Sequence, residues 1–401
     1  VDLQNLSDVS LEGELAETLA AIQVDVGKLD VYGFELEDVS TRITRTKTAW
    51  KVELDSEMLL GMVSIMDLDD DPLEVELEYL KVESTPSSED PLVDVVPSEM
   101  VSANIKLKKF LVGEENYGDW SFSFRPVGTG AKIDNLVANV KGFQLLGDGE
   151  VSWRYGSGEH VSGFSGKVII PDLATSLEQW GFASSIEGND FTFDANVTWP
   201  GTPAMADLDI ITGRIKLEQG SGRFVQAESN VGALKLLGIF DFASLARRFR
   251  FDFSDVVSSG FTFSKIAGET RFNHGIVDVY APIVIEGPSS IFTVAGRMNL
   301  ETQVIDSDMV VTLPVNRNLP WYAAYSAFVT GPLTGAGVFL AQKLFKQQID
   351  TISSAKYRIT GTVDEPLIEF VSIFNSTVRN APMEGDGSLL KEGDGSLLKE
   401  G

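Results

Sequence analysis

Cysteine is absent from this chain of 401 residues, which excludes disulfides, thiolate metal ligands and a cysteine nucleophile. Histidine is almost absent, with only His160 and His274. Both stand in polar, turn-like contexts ("GSGEH" and "RFNHG") with no nearby group to orient an imidazole, so each reads as a solvated loop residue. Cationic residues are few, 32 Lys and Arg against 59 Asp and Glu, for a formal net charge of −27. A nucleic-acid partner requires cationic surface to displace counterions, so that class is excluded. Broad attachment to an anionic bilayer is excluded on the same ground, and any membrane contact has to be local. The chain opens on Val1 without a signal peptide and reads as a piece of a longer protein whose targeting segment lies elsewhere.

Several catalytic and ligand signatures are missing as well. No nucleophile elbow occurs, and "GTGAK" and "TGAG" lack the spacing of phosphate-cradling loops. "DLDDDPLEVELE" sets Asp67, Asp69 and Asp71 at alternate positions with Glu78 twelfth, as in a calcium loop. Pro72 sits sixth, however, where the sharp turn demands glycine. No metal, cofactor or enzymatic activity is expected. Residues 319–342 carry no charge, close to the length of a membrane span. Gly331-Pro332, Gly335 and Gly337 divide that stretch into two pieces, each too short to cross a bilayer.

What the chain has is alternation. Hydrophobic residues make up 43% of it, including 24 phenylalanines. "LEVELEY" puts Leu73, Val75, Leu77 and Tyr79 on one face and Glu74, Glu76 and Glu78 on the other. "VSANIKLKK", "WSFSFR", "FTFDANVTW", "GIVDVYAPIVIEG" and "DMVVTLPV" repeat the period of two. Turn residues punctuate these runs as an antiparallel meander requires, so each strand has one polar and one apolar face. The apolar face has to be covered, by a second sheet or by acyl chains, and alternation does not choose between them.

Four stretches depart from this pattern. Residues 84–99, rich in Pro, Ser and acid, read as a loop or linker. "LATSLEQWG" (173–181) predicts one short helix ended by Gly181. At 233–249 the apolar residues recur three and four apart, which predicts two short amphipathic helices. Leu236, Leu237 and Phe240 share a face of the first. Phe242, Leu245 and Phe249 form the stripe of the second, with Arg247 and Arg248 in its last turn, where the helix dipole favours cations. "GDGSLLKE" occurs twice in tandem at 385–400, and residues 381–401 read as a disordered tail.

The order of several phrases resembles the C-terminal part of the YhdP family, AsmA-like proteins of the Gram-negative envelope. They include "FELEDVSTRITRTKTAWKVELDSEMLLGMVSI", "VPSEMVSANIKLKKFLVGEENYGDWSFSFRP", "FTFDANVTWPGTPAMADLDIITGRIKLEQGSGRF" and "ALKLLGIFDFASLARRFRFDFSDVVSSGFTFSKIAGETRFNHG". "YRITGTVDEPLIEF" (357–370) resembles the family's closing strand. The resemblance implies a bridge-type carrier moving phospholipid across the periplasm toward the outer membrane, anchored to the inner membrane through an N-terminal segment not present here.

The expected fold is mainly β, an elongated, curved antiparallel sheet forming an open apolar groove, with short amphipathic helices toward the C-terminus. A groove segment is expected over residues 1–228 and a C-terminal segment over 229–380, the latter with helices at 233–249 and 321–350. Trp120, Phe122, Phe124, Phe191, Phe193, Val197, Trp199, Val277, Val279, Ile283 and Ile285 are the expected lining. The two helical regions, including Trp321 and Tyr322, would cap the groove or dock on a membrane. Expected partners are phospholipid acyl chains and outer-membrane or envelope proteins, with the chain itself monomeric. The rival expectation is a β-sandwich scaffold of the envelope without cargo.

Overall fold

The computed structural model describes residues 21–32, 34–68, 71–83, 90–181, 184, 186–225, 261–288, 290–312, 354–363, 365–373, 377 and 378. Strand β1 (Ile22–Val31) opens an antiparallel meander through β2 (Phe34–Arg45), β3 (Ala49–Asp55), β4 (Leu59–Met66) and β5 (Leu73–Val82). The chain then crosses over instead of turning back. Strand β6 (Ala103–Leu107) runs parallel to β5, as does the short strand that follows it, and these two pairings are the departures from the antiparallel expectation among the described strands. Parallel neighbours cannot be joined by a tight turn, and residues 83–102 supply the crossover. Strands β7 (Phe110–Val112) and β8 (Glu115–Asn116) form a small hairpin beside β5.

Strand β9 (Asp119–Val127) returns against β6 and starts a second meander through β10 (Gly130–Val140), β11 (Phe143–Gly156) and β12 (Glu159–Asp172). The β10–β11 and β11–β12 loops have two residues each, Lys141-Gly142 and Ser157-Gly158, all at positive φ. Two such residues make the tight hairpin turn whose twist matches that of the strands. Helix α1 (Leu173–Gln179) follows, capped by Asp172, whose carboxylate accepts from the Thr175 amide at 3.1 Å. Gly181 lies beyond its end at φ +76°, as the sequence predicts. Strands β13 (Ile186–Pro200) and β14 (Thr212–Gln219) extend the ladder.

There the sheet branches. The start of β13 pairs with the short β15 (Gly222–Phe224), which pairs with β16 (Phe261–Phe263). The main ladder continues from β14 to β17 (Lys265–Asn273), β18 (Ile276–Glu286), β19 (Ile291–Asn299), β20 (Ile305–Thr312), β21 (Ser354–Gly361) and β22 (Pro366–Ile373). The stretch resembling a closing strand is thus a closing hairpin, β21 with β22. Pairings join all 22 strands into one sheet, open because β1 and β22 have no strand partner on their outer sides among the described residues. A sheet so wide curls, since strand twist accumulates across it. Register shifts in β10, β11, β17 and β18 mark bulges, which add local bend.

The two faces differ as the alternation requires. On one, Asn104 donates to Glu74 at 2.7 Å, and Lys106 and Lys108 reach Glu76 and Glu78. Further cross-strand pairs, Arg42–Glu53, Lys132–Glu150 and Arg358–Asp306, decorate the same polar side. The other face is apolar and carries the buried clusters.

Candidate functional site: an apolar face running across the ladder

Cross-strand register aligns apolar side chains into rows. In the N-terminal half, Ile43 faces Val52, then Val63, Val75, Ile105 and Phe122 across successive strands. A second row runs Ala103, Phe124, Ile133, Val151, Phe164, Val197, Gly213, Phe272, Val277, Met298 and Ile305. Gly213 is its one member without a side chain. At φ +145°, a Cβ there would meet the Asn196 carbonyl at 2.2 Å, so the close approach of β14 to β13 requires glycine.

How well this face is covered changes along the ladder. Ile43, Val63, Val75, Ile105, Phe122, Ile133, Val151 and Phe164 are half-buried. The neighbours of Ile43 and Val63 in the N-terminal cluster come, among the described residues, only from β1–β5 and the β3–β4 loop, whereas Ile105, Phe122 and Ile133 pack against the cluster around Val95 and Phe164 against that around Val197. From Val197 onward the row is buried, including Phe272, Val277, Met298 and Ile305. Here a second layer exists: Leu173 and Leu177 of α1, Ile186 of β13, Phe224 of β15 and Phe263 of β16 pack with Val294, Met309 and Tyr357. Ile285 and Met309 are 0% exposed.

The crossover between β5 and β6 also lies against this face. Val95 packs with Phe124, Ala131 and Trp153. Two polar contacts hold it. The Asp90 carboxylate accepts from the Thr202 hydroxyl at 2.6 Å and the Thr202 amide at 3.1 Å. The Trp153 indole N–H donates to His160 Nδ1 at 3.0 Å, and His160 Nε2 lies 2.8 Å from the Val93 carbonyl. An indole only donates, so Nδ1 accepts and Nε2 carries the proton. His160 is therefore a buried structural residue, correcting its reading as a solvated loop position: its turn-like neighbours hid that it begins β12 on the covered face. His274, by contrast, is an exposed turn residue. Residues 90–99, read as part of a linker, are pinned by these contacts and by a 3-10 turn at Pro97–Glu99.

Alternation and register place all eleven residues expected to line a groove on the apolar face. They differ in access. Phe122 and Phe193 are half-buried, as is Trp120, whose indole donates to the Tyr117 carbonyl at 3.0 Å. Phe124 lies under the crossover. Val197, Trp199 and Val277 share a cluster with Ile211 and Phe272. Phe191, Val279, Ile283 and Ile285 sit inside the two-layer C-terminal cluster, already covered by protein. Leu236, Leu237, Phe240, Phe242, Leu245, Arg247, Arg248, Phe249, Trp321 and Tyr322 lie outside the described residues, as do both C-terminal helical regions and the tail. The row Ile43–Val52–Val63–Val75–Ile105 shares this apolar face and is not among the eleven expected residues. Its signal was the alternation of "LEVELEY", overlooked in favour of the aromatic strands.

Among the described residues no group of His, Asp and Glu is arranged to hold a metal ion. Asp67, first in the calcium-like run, is paired with Arg45 at 2.8 Å. No helix among them is long and apolar enough to cross a membrane.

A family model described as YhdP protein matches residues 2–368. The intermembrane phospholipid transporter YhdP of Escherichia coli (strain K12) is 25% identical over 291 residues, which cover 72% of this chain and 22% of that relative. The chain therefore spans about a fifth of the length of the curated relative it matches. No solved structure matches.

Proposed function

The chain belongs to the YhdP family, and from that premise we propose that it carries phospholipid acyl chains without enzymatic chemistry. The supporting observation is the apolar row, of which Ile43, Val63, Val75 and Val151 remain half-buried among the described residues, with the crossover at 90–99 packed beside Ile105, Phe122 and Ile133. Covering the part of each such side chain still in water contributes roughly half of the 1.5–3 kcal/mol of full burial. Acyl chains supply that cover without directional bonds, so a bound chain is free to slide from strand to strand. Head groups stay in water at the rim. In this reading the route follows Ile43, Val75, Ile105, Phe122, Ile133 and Phe164, and it ends at the protein-filled C-terminal cluster. The work is done in the periplasm, by a monomer tethered to the inner membrane through a segment outside this chain. Cargo moves toward the outer membrane or a protein of the envelope. The segments 233–249 and 321–350, expected as helices, cap the groove or dock on that membrane, in the second case with Arg247 and Arg248 near lipid phosphates.

A photo-crosslinking residue at Phe122 tests the route. Phospholipid captured at Phe122 and not at Ile285 is the expected result in cells. Capture at neither position, from a purified chain free of lipid, would leave an envelope scaffold without cargo. Arg247→Glu with Arg248→Glu should weaken liposome binding, and unchanged binding would remove the role of those arginines.

A further inference from the structure

The β8 hairpin, the β10–β11 turn and α1 meet at one end of the ladder. Between them lies a cavity of about 350 Å3, whose polar lining includes Asp119, Asn139, Lys141, Gln144, Asp172 and Gln179. Lys141 is held in place there. Its Nζ donates to Glu115 at 2.6 Å and lies 4.6 Å from the Tyr117 ring centroid and 4.9 Å from that of Trp180. This ion pair holds the Glu115 carboxyl below its ordinary range, through the Lys141 hydrogen bond first and its charge second. Trp180 packs on Tyr117 at 6.1 Å, Tyr117 on Phe110 at 6.4 Å and Phe110 on Trp120 at 6.4 Å, and Trp120 stands on the half-buried stretch of the apolar face beside Phe122. An aromatic wall thus joins a charged cavity to the apolar face, which is the layout that a molecule with a polar head and a greasy tail requires.

We propose that this rim cavity is a head-group site for a phospholipid bearing a primary amine beside its phosphate, an inference that rests on the acyl-chain reading above. Lys141 supplies charge-assisted donors to the phosphodiester oxygens. The Asp172 carboxylate is occupied in capping α1, accepting from the Thr175 amide and hydroxyl. Asp119 is the carboxylate left to receive the amine, while Asn139, Gln144 and Gln179 donate or accept as the head group demands. A purely anionic head group would bring its charge toward Asp119 and Glu115 with nothing of its own to offset them. A zwitterionic one answers both signs.

The test titrates the full chain with three lipids sharing one fluorescent acyl chain: a phosphatidylethanolamine, a phosphatidylglycerol and a diacylglycerol. The amine lipid is expected to bind best and the diacylglycerol worst, with steps of about fivefold to tenfold, as fits partly exposed charge-assisted bonds. Lys141→Met should bring both phospholipids down to the diacylglycerol, Lys141→Arg should retain the difference, and Asp119→Asn should abolish the preference for the amine alone. Equal binding of all three lipids, or variants that leave both ratios unchanged, would overturn the head-group site while sparing the acyl-chain reading. Displacement of the amine lipid by equimolar glycerophosphoethanolamine would also overturn it, in favour of a soluble phosphodiester. If even the diacylglycerol fails to bind, the acyl-chain reading fails and takes the head-group site with it.

Discussion

The β2–β6 stretch and the β17–β21 stretch are written in the same two-residue period, yet they bury their apolar faces to different degrees. In the first, Val63, Val75 and Ile105 stay half-buried, Val63 among neighbours of the same sheet and Ile105 against the cluster around Val95. In the second, Ile285, Val294 and Met309 lie beneath α1, the start of β13 and the short strands β15 and β16. The branch at β13 accounts for the difference. It folds a few residues back over the face, whereas the crossover at 90–99 lies against Ile105, Phe122, Phe124, Ile133 and Trp153. Among the described residues, one sheet therefore contains a half-buried stretch and a stretch enclosed by a second layer of protein.

The largest effect expected from this contrast is on stability. Met309→Ala, at 0% exposure, should cost about 2–5 kcal/mol by creating a cavity that its neighbours cannot refill. Ile105→Ala should cost about 1–2 kcal/mol, since less of that side chain leaves water on folding. Urea unfolding of both variants checks this. Equal losses would mean that the two stretches are packed alike.

Ion pairs should follow the same division. Lys356 faces Asp308 at 3.0 Å, with side chains 16% and 3% exposed, against 64% and 54% for Lys106 and Glu76. Lys356→Ala should cost about 2–3 kcal/mol because it weakens the cover of a buried charge. Lys106→Ala should stay within about 0.5 kcal/mol. The crossover belongs to neither stretch, and Asp90→Ala tests whether it is firmly held. Loss of the acceptor for two Thr202 donors should cost about 1–2 kcal/mol and speed proteolysis near residue 90.

The smallest effect concerns α1, which covers the closed stretch. Asp172→Ala should cost about 1 kcal/mol through loss of the N-cap. The Thr175 hydroxyl, and after it the Thr175 amide, hold the Asp172 carboxyl below its ordinary value of 3.8. A carboxyl lowered by folding stabilises the protein above its unfolded value, and that contribution is lost as pH falls through the folded value. Acid titration of stability should therefore flatten below pH 4 in Asp172→Asn relative to the parent chain.

Much of this architecture was legible in the sequence. The runs "LEVELEY", "WSFSFR" and "FTFDANVTW" are strands with the faces their alternation implies, and the helix at 173–179 starts at Asp172 and stops before Gly181 as its end signals require. The eleven lining candidates share a face because a period of two is a property of the local backbone. Three features were not legible. The parallel step from β5 to β6 depends on where a crossover lands, and the burial of His160 depends on Trp153 and the Val93 carbonyl reaching it from other elements. The doubling of the sheet over Ile285 depends on Phe224 and Phe263, whose strands are three residues long and carry too little pattern to announce a second layer.

By itself, then, the sequence determined which side chains stand together, since strand geometry hands alternate residues to opposite faces whatever lies beyond them. Only the tertiary structure decided which parts of the apolar face are enclosed by protein and which, among the described residues, stay half-buried. The reason is physical: withdrawal of apolar surface from water is non-directional, so Val75 and Ile285 carry the same local signal although one is half-open and the other wholly enclosed.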